Sequence, residues 1–197
     1  MTIRHNEVAQ EWASLCAAAY TPSAVSTEPF INSGRPKSDG VAASQTEPTP
    51  LGDERGDVSV RGFWHRGNAC IFDVSVIDTD AQSYAQMTVD KVIENKEKAK
   101  STKYREMCRQ NRMHFTPLIF SVDGMIGPRA EGAIRQLSAR LSRKWNQSYS
   151  AVCGFVRSRL TLSLVRAMHL CIRGARDPTA RATRPSLDSG AGLGLMA

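Results

Sequence analysis

The spacing of apolar residues predicts a helix at the start of the chain and a polar segment after it. The apolar positions recur at i, i+4, i+7 and i+11, as an amphipathic helix over residues 4–20 requires: Val8, Trp12, Leu15 and Ala19. Residues 32–56 are poor in large apolar side chains and rich in Ser, Gly, Pro and Thr. We therefore expect a flexible loop or insertion over residues 32–56.

Two short strands joined by a tight turn are predicted next. Residues 58–64 alternate in polarity, with Val58 and Val60 on one face. Residues 65–68 contain Gly and Asn, which tolerate positive φ and suit a hairpin turn. Residues 69–76 are β-branched, aromatic and mostly apolar, which predicts a strand that is buried on both faces.

The remaining pattern alternates between helix and strand. A long helix with a strongly charged middle is predicted over residues 88–112, and a third strand over residues 117–122. A strand–helix–strand unit implies a parallel pair of strands with a right-handed crossover. Apolar stripes predict two further helices, over residues 128–145 and 150–172. The predicted class is therefore α/β: a helix, a hairpin, a helix and a strand in a mixed sheet, followed by two C-terminal helices.

Composition narrows the class of protein. The chain has 197 residues and 41% hydrophobic content, enough for one domain with a sizeable core. It contains no run of about 18 apolar residues, so we expect no association with a membrane. The five cysteines are an odd number without close spacing. They argue against a disulfide framework or a zinc ribbon and indicate a reducing, intracellular compartment.

The net charge of +7 is unevenly distributed. Residues 1–57 carry four Lys/Arg against eight Asp/Glu, a balance of −4, and the rest carries 22 against 11, a balance of +11. A basic domain is suited to neutralising phosphates, although an ordinary lysine excess on a solvated surface gives the same count. The same two interpretations stay open for the arginines of the last helix: Arg157, Arg159, Arg166 and Arg173.

Two aspartates are the candidates for chemistry. Asp73 lies inside a predicted apolar strand, where an unpaired charge is costly to bury, and Asp57 lies at the start of its hairpin partner. A turn at residues 65–68 would bring the two acids together. Magnesium prefers carboxylate oxygens and keeps several waters, so two aspartates suffice as the protein's share of a Mg²⁺ site, with the Val74 carbonyl as a further ligand.

A lysine beside such a site would lower the pKa of the attacking water or steady the hydroxide. The common nuclease pattern has this lysine two residues after the second acid, where this chain has Ser75. The lysine must therefore come from the following helix, where three candidates share one face: Lys96, Lys100 and Lys103. Simpler interpretations stay open, with Asp57 as a turn residue, Asp73 paired with Arg61, and the lysines on a solvated face.

Residues 56–112 resemble the restriction-like endonuclease domain at the C-terminal end of the reverse transcriptases of site-specific non-LTR retrotransposons. That domain belongs to the PD-(D/E)XK nuclease superfamily, whose pattern here is a Pro-Asp pair, a strand aspartate and a helix with a Lys-x-x-Lys-Tyr-like motif. The matching residues are Gly56-Asp57, Asp73 and the run from Lys100 to Tyr104. Similarity in residues 4–8, 28–29 and 114–124 extends the resemblance over most of residues 4–176.

The resemblance implies a restriction-endonuclease-like core and a division of the chain. Residues 1–31 would form a lead-in helix and the first strand, 32–56 the loop or insertion, 57–176 the nuclease-like core with its C-terminal helices, and 177–197 a disordered tail. Asp57 and Asp73 would bind Mg²⁺, with Mn²⁺ as the alternative. Lys100 would act on the water or on the transition state, with Lys103 as its deputy.

The function implied by the resemblance is metal-dependent nicking of target DNA in the nucleus, so that the 3′-OH primes reverse transcription. Its partners would be DNA, the element RNA and a reverse transcriptase supplied in cis or in trans. Gly56 departs from the family's proline, and fifteen residues separate the two acids. Met1 lies almost where the nuclease domain would begin, so we expect a fragment of a retroelement reading frame. The alternatives are a catalytically inactive nucleic-acid-binding remnant and a structural module without a nucleic-acid role.

Overall fold

A computed structural model describes residues 3–31 and 54–174 of the chain. Within these ranges there are four α-helices and four strands: α1 Ile3–Ala19, β1 Val25–Thr27, β2 Val58–Arg61, β3 Ala69–Ile77, α2 Val89–Gln110, β4 His114–Ser121, α3 Pro128–Trp145 and α4 Tyr149–Gly174. The predicted α/β class is confirmed. Most of the predicted loop over residues 32–56 and the predicted tail over residues 177–197 lie outside the described residues.

The four strands form one mixed sheet in the order β1-β2-β3-β4. β2 is antiparallel to both β1 and β3, and β3 is parallel to β4 with α2 as the connection. The parallel pair stays in register from Cys70 opposite His114 to Ile77 opposite Ser121. The predicted hairpin and the predicted strand–helix–strand unit are therefore confirmed.

β2 ends three residues earlier than the alternating pattern predicts. Gly62 adopts φ = +78°, a conformation that glycine takes without steric cost, and its N–H donates to the Asn68 carbonyl at 2.8 Å. The chain then turns Phe63 back into the core, where its ring lies edge-on to Phe72 with the centroids 4.8 Å apart. Burial of Phe63 therefore replaces the predicted short turn by a loop over residues 62–68.

The two faces of β3 pack against different layers. Phe72 and Val74 join the large core that α1, α3 and α4 cover, whereas Ile71 and Ile77 pack beneath α2. Alternation along a strand therefore places Asp73, between Phe72 and Val74, on the α2 side of the sheet. The predicted burial of this strand on both faces is confirmed.

The C-terminal helices follow their predicted apolar stripes closely. The predicted stripe of α3 is fully buried: Ala130, Ala133, Ile134, Leu137 and Leu141. In α4 the stripe ends at Ala167, whereas Met168 and Cys171 are only partly buried. Arg4, in the first turn of α1, has its guanidinium 4.0 Å from the Met168 sulfur. The described part of α1 therefore reaches α4 as far as Met168 and does not cover its last turn.

Cysteines and hydropathy agree with the compositional expectations in part. All five cysteines are free thiols, and Cys153 and Cys171 are partly exposed because they lie at the margins of the buried stripe of α4. No helix in the described ranges combines the length and the hydropathy that crossing a bilayer would take.

Candidate active site

Asp57 is hydrogen-bonded to the two residues that flank Asp73. Its N–H donates to the Phe72 carbonyl at 3.0 Å, and its Oδ2 accepts the Val74 N–H at 2.5 Å. Both aspartates are buried, at 8% and 5% exposure. The fold therefore brings the two predicted acids together, with Asp57 at the entrance to β2 and Asp73 within β3.

Asp73 is paired with a lysine from the helix above it. The Lys100 Nζ lies 2.7 Å from the Asp73 Oδ2, and three quarters of the Lys100 side chain is buried. That oxygen is shielded from solvent and accepts no hydrogen bond of good geometry. Burial raises the pKa of Asp73, Lys100 opposes this shift, and the charge of Asp57 adds to it. Desolvation outweighs the ion pair, so the ionised carboxylate costs folding free energy here.

His5 completes the cluster from the first turn of α1. Its Nε2 lies 2.8 Å from the Asp57 Oδ2. The hydrogen bond to Asp57 raises the pKa of His5, partial burial opposes the shift, and the negative charges of Asp57 and Asp73 support it. Sequence reasoning missed His5 as a site residue, since neither its local spacing nor its neighbours point to a partner in a distant hairpin.

The three candidate lysines of α2 have different partners. Only Lys100 reaches the acid pair. The Lys103 Nζ lies 3.0 Å from the Glu54 Oε2 and 4.7 Å from the centroid of the Tyr104 ring, and half of its side chain is exposed. Lys96 is half-buried and forms no ion pair within the described ranges. Lys103 lies three residues beyond Lys100, a rise of about 4.5 Å along the helix, so it meets Glu54 in the segment before β2 instead of Asp73.

The contacts of three arginines decide between interpretations that the sequence leaves open. Arg61 does not pair with Asp73, because its guanidinium points the other way and donates to the Ser23 carbonyl at 2.9 Å. On α4, Arg157 pairs with Glu131, and Arg159 lies 2.8 Å from a Glu11 carboxylate oxygen. These two arginines therefore join helices within the fold.

Gly56 occupies a position without room for a side chain. A Cβ there would overlap the Ile71 Cγ2 atom, and the Phe72 carbonyl lies 3.5 Å from the same point. The Gly56 N–H donates to the Pro29 carbonyl at 3.0 Å, a bond that proline cannot form. Close packing of the segment before β2 against β3 therefore explains why this chain has glycine where the nuclease family that it resembles has proline.

The acid pair fits a hard divalent cation of which water supplies most ligands. The buried Asp73 Oδ2 is paired with Lys100 and lies near a second carboxylate, and carboxylate oxygens are the ligands that Mg²⁺ and Mn²⁺ take. Within the described residues no three His, Cys, Asp or Glu side chains converge as a metal site. The protein's share would therefore be Asp57 and Asp73, and a cation would compete with His5 and Lys100 for them.

A cleft gives access to the Asp57 side of the cluster. It encloses about 240 Å³ between the start of α1 and β1, and His5, Asn6, Thr27 and Glu28 line it together with Asp57. Asp73 does not line this cleft, so a substrate that enters here meets Asp57 and His5.

No protein-family model matches this chain, and no curated protein sequence matches it at a significant level. Membership of a nuclease family therefore stays an expectation from the residues that carry the resemblance.

We expect the His5–Asp57 pair to make the fold less stable as pH rises. The folded state holds the His5 proton more tightly than the unfolded chain, so the pair stabilises fully below the ordinary histidine pKa of 6.5. The contribution is lost as pH rises through the higher folded pKa. Melting temperature should fall over that window, and His5→Gln should remove this fall. An NMR titration that gives His5 a pKa at or below 6.5 would contradict the assignment.

We expect Asp73→Asn to raise the melting temperature by a few degrees at pH 7.5. Its raised pKa means that the buried carboxylate is a net cost above that pKa, and the neutral amide removes the cost while keeping the shape. The difference in melting temperature between the variant and the unsubstituted protein should shrink as pH falls through the folded-state pKa of Asp73 towards the ordinary value of 3.8. Thermal melts by circular dichroism measure both effects, and a variant that melts lower at pH 7.5 contradicts the argument.

Proposed function

We propose that this chain is a divalent-metal-dependent DNA endonuclease domain with a restriction-endonuclease-like core of the PD-(D/E)XK type. It would be derived from a non-LTR retroelement and would nick target DNA so that the 3′-OH primes reverse transcription. The observation that carries the proposal is the 2.7 Å pairing of the Lys100 Nζ with the Asp73 Oδ2, beside a second buried aspartate that bonds both neighbours of Asp73.

The cluster has the parts that phosphodiester hydrolysis requires. A bound Mg²⁺ or Mn²⁺ would supply Lewis-acid charge to the scissile phosphate. Asp57 and Asp73 would hold that cation, and His5 would fix the orientation of the Asp57 carboxylate. Lys100, already at the Asp73 carboxylate, would neutralise the negative charge that develops on the phosphate or orient the attacking water.

The mixed sheet and the charge distribution also support the proposal. An antiparallel hairpin that leads through a helix to a parallel strand places the acid of β3 and the lysine of α2 on one face of the sheet. Residues after Asp57 carry the basic balance of +11, which suits binding to DNA and to the element RNA. On this proposal the domain acts in the nucleus, together with a reverse transcriptase in cis or in trans.

A second function, a catalytically inactive nucleic-acid-binding remnant, is favoured by one observation. Each acid already has an internal partner, since His5 pairs with Asp57 and Lys100 pairs with Asp73. Such a cluster satisfies its own polar groups and has a purely structural use, as a polar link between the hairpin and two helices. The two functions differ in whether a divalent cation enters the cluster and strands are cut.

We expect Lys100→Ala to lower the rate of Mg²⁺-dependent nicking of supercoiled plasmid by about 100-fold or more, the typical contribution of a positioned proton-transfer or charge-stabilising group. Asp57→Ala and Asp73→Ala should abolish nicking. Binding to the same plasmid should be kept, because these side chains are buried beneath the surface.

The matched control for this experiment is Lys91→Ala on the same helix. Lys91 is 56% exposed and pairs with Glu94 at the solvated surface, so its loss should change nicking by less than about twofold. Unchanged nicking by pure Asp73→Ala protein would rule out the assigned site. Mg²⁺-independent binding without nicking in the unsubstituted protein would favour the inactive remnant.

A further inference from the structure

A basic groove lies at the β4 edge of the sheet, separate from the acid cluster. It encloses about 1050 Å³ between the C-terminal half of α2, the first residues of β4 and the start of α3. Its wall carries four arginines: Arg105, Arg109, Arg112 and Arg129. Among the described residues that line it, Glu106 is the single acid, and Arg109 pairs with it at 3.0 Å. The groove therefore presents a net positive charge.

Two of these guanidinium groups are available to a ligand. Arg105 and Arg112 are exposed and form no ion pair within residues 3–31 and 54–174. Arg105 and Arg109 lie one turn apart on α2, and Arg112 lies two residues after the helix ends; all three line the groove. Several cations that line one groove suit successive negative charges, such as those of a phosphate backbone.

Arg112 occupies a backbone position that normally selects glycine. Its φ is +55°, just after the end of α2, where the Met113 N–H donates to the Cys108 carbonyl at 2.8 Å. Helices commonly end with a glycine in this conformation, because a side chain is disfavoured there. Arginine has no conformational advantage at this position. A use for its charge in the groove is therefore the simpler explanation for its presence.

Aromatic rings line the groove beside the arginines. The rings of His65 and His114 lie with their centroids 4.9 Å apart. Trp64 is fixed in place, since its Nε1 donates to the Thr116 Oγ1 at 2.9 Å. Rings next to a row of cations are the combination that binds a single nucleic-acid strand, with bases on the rings and phosphates on the cations.

We propose that this groove binds a single strand of nucleic acid through its phosphates, with Arg105 and Arg112 as the principal contacts and His65 as a stacking surface. A double helix keeps its bases stacked inside, so it would leave the rings unused; an acidic peptide would likewise use the arginines alone. The inference goes beyond the proposed cleavage, because binding in the groove needs neither the acid pair nor a metal.

The test is the binding of a fluorescent oligothymidylate, measured by anisotropy in EDTA. The variant is Arg105→Ala with Arg112→Gly, which puts a good helix former on an exposed helix position and glycine where φ is positive. Its melting temperature should therefore be unchanged or higher. Affinity should fall at least tenfold, and the slope of log K against log salt should lessen by about 1.4, since each phosphate contact contributes about 0.7. His65→Ala should weaken binding about fivefold.

The charge-matched control is Lys91→Ala with Arg143→Ala, which removes two exposed cations outside the groove. It should change affinity by less than about threefold. The proposal is overturned if the groove variant binds oligothymidylate as tightly as the unsubstituted protein, if the control loses as much affinity, or if the unsubstituted protein binds only duplex DNA or an acidic peptide. Because EDTA excludes cleavage, failure here leaves nicking by the acid cluster to be judged separately.

Discussion

A buried carboxylate in the middle of the sheet is the constraint on which this structure depends. Asp73 is 5% exposed, and the charge of a second buried acid, Asp57, raises its pKa further. Such an arrangement persists only with compensating cations and hydrogen bonds. Lys100 provides a cation from α2, and His5 provides a hydrogen-bond partner for Asp57 from α1. The cluster therefore connects the hairpin to both sides of the fold.

The need to compensate the buried Asp73 carboxylate explains why the segments around it are closely packed. Asp57 has to accept the Val74 N–H while its own N–H reaches the Phe72 carbonyl, so the chain before β2 must lie tightly against β3. Gly56 permits that approach, because any side chain there would meet Ile71. The raised pKa of Asp73 shows that the compensation is incomplete. Residual destabilisation of this kind is typical of residues kept for function, since stability alone would favour a neutral side chain.

The elements and three of the four cluster residues, Asp57, Asp73 and Lys100, were predictable from sequence because their signals are local. Asp73 interrupts an apolar strand, and Lys100 lies at helical spacing on the next element, so both stand out within a short window. His5 and Glu54 do not, because their partners Asp57 and Lys103 are fixed by tertiary packing and no periodicity relates them. For the same reason Phe63 was assigned to a strand, although burial against Phe72 draws it into a loop.

The most direct test of a divalent cation site at the acid pair is Mn²⁺ binding, followed by electron paramagnetic resonance without any substrate. The account predicts one bound Mn²⁺ per chain, with affinity lowered more than about tenfold in Asp57→Asn and in Asp73→Asn. It also predicts tighter binding in Lys100→Met, because removing the ammonium 2.7 Å from the Asp73 Oδ2 removes a competitor for that oxygen. Mn²⁺ binding that is absent from the unsubstituted protein, or indifferent to both aspartate substitutions, would contradict it.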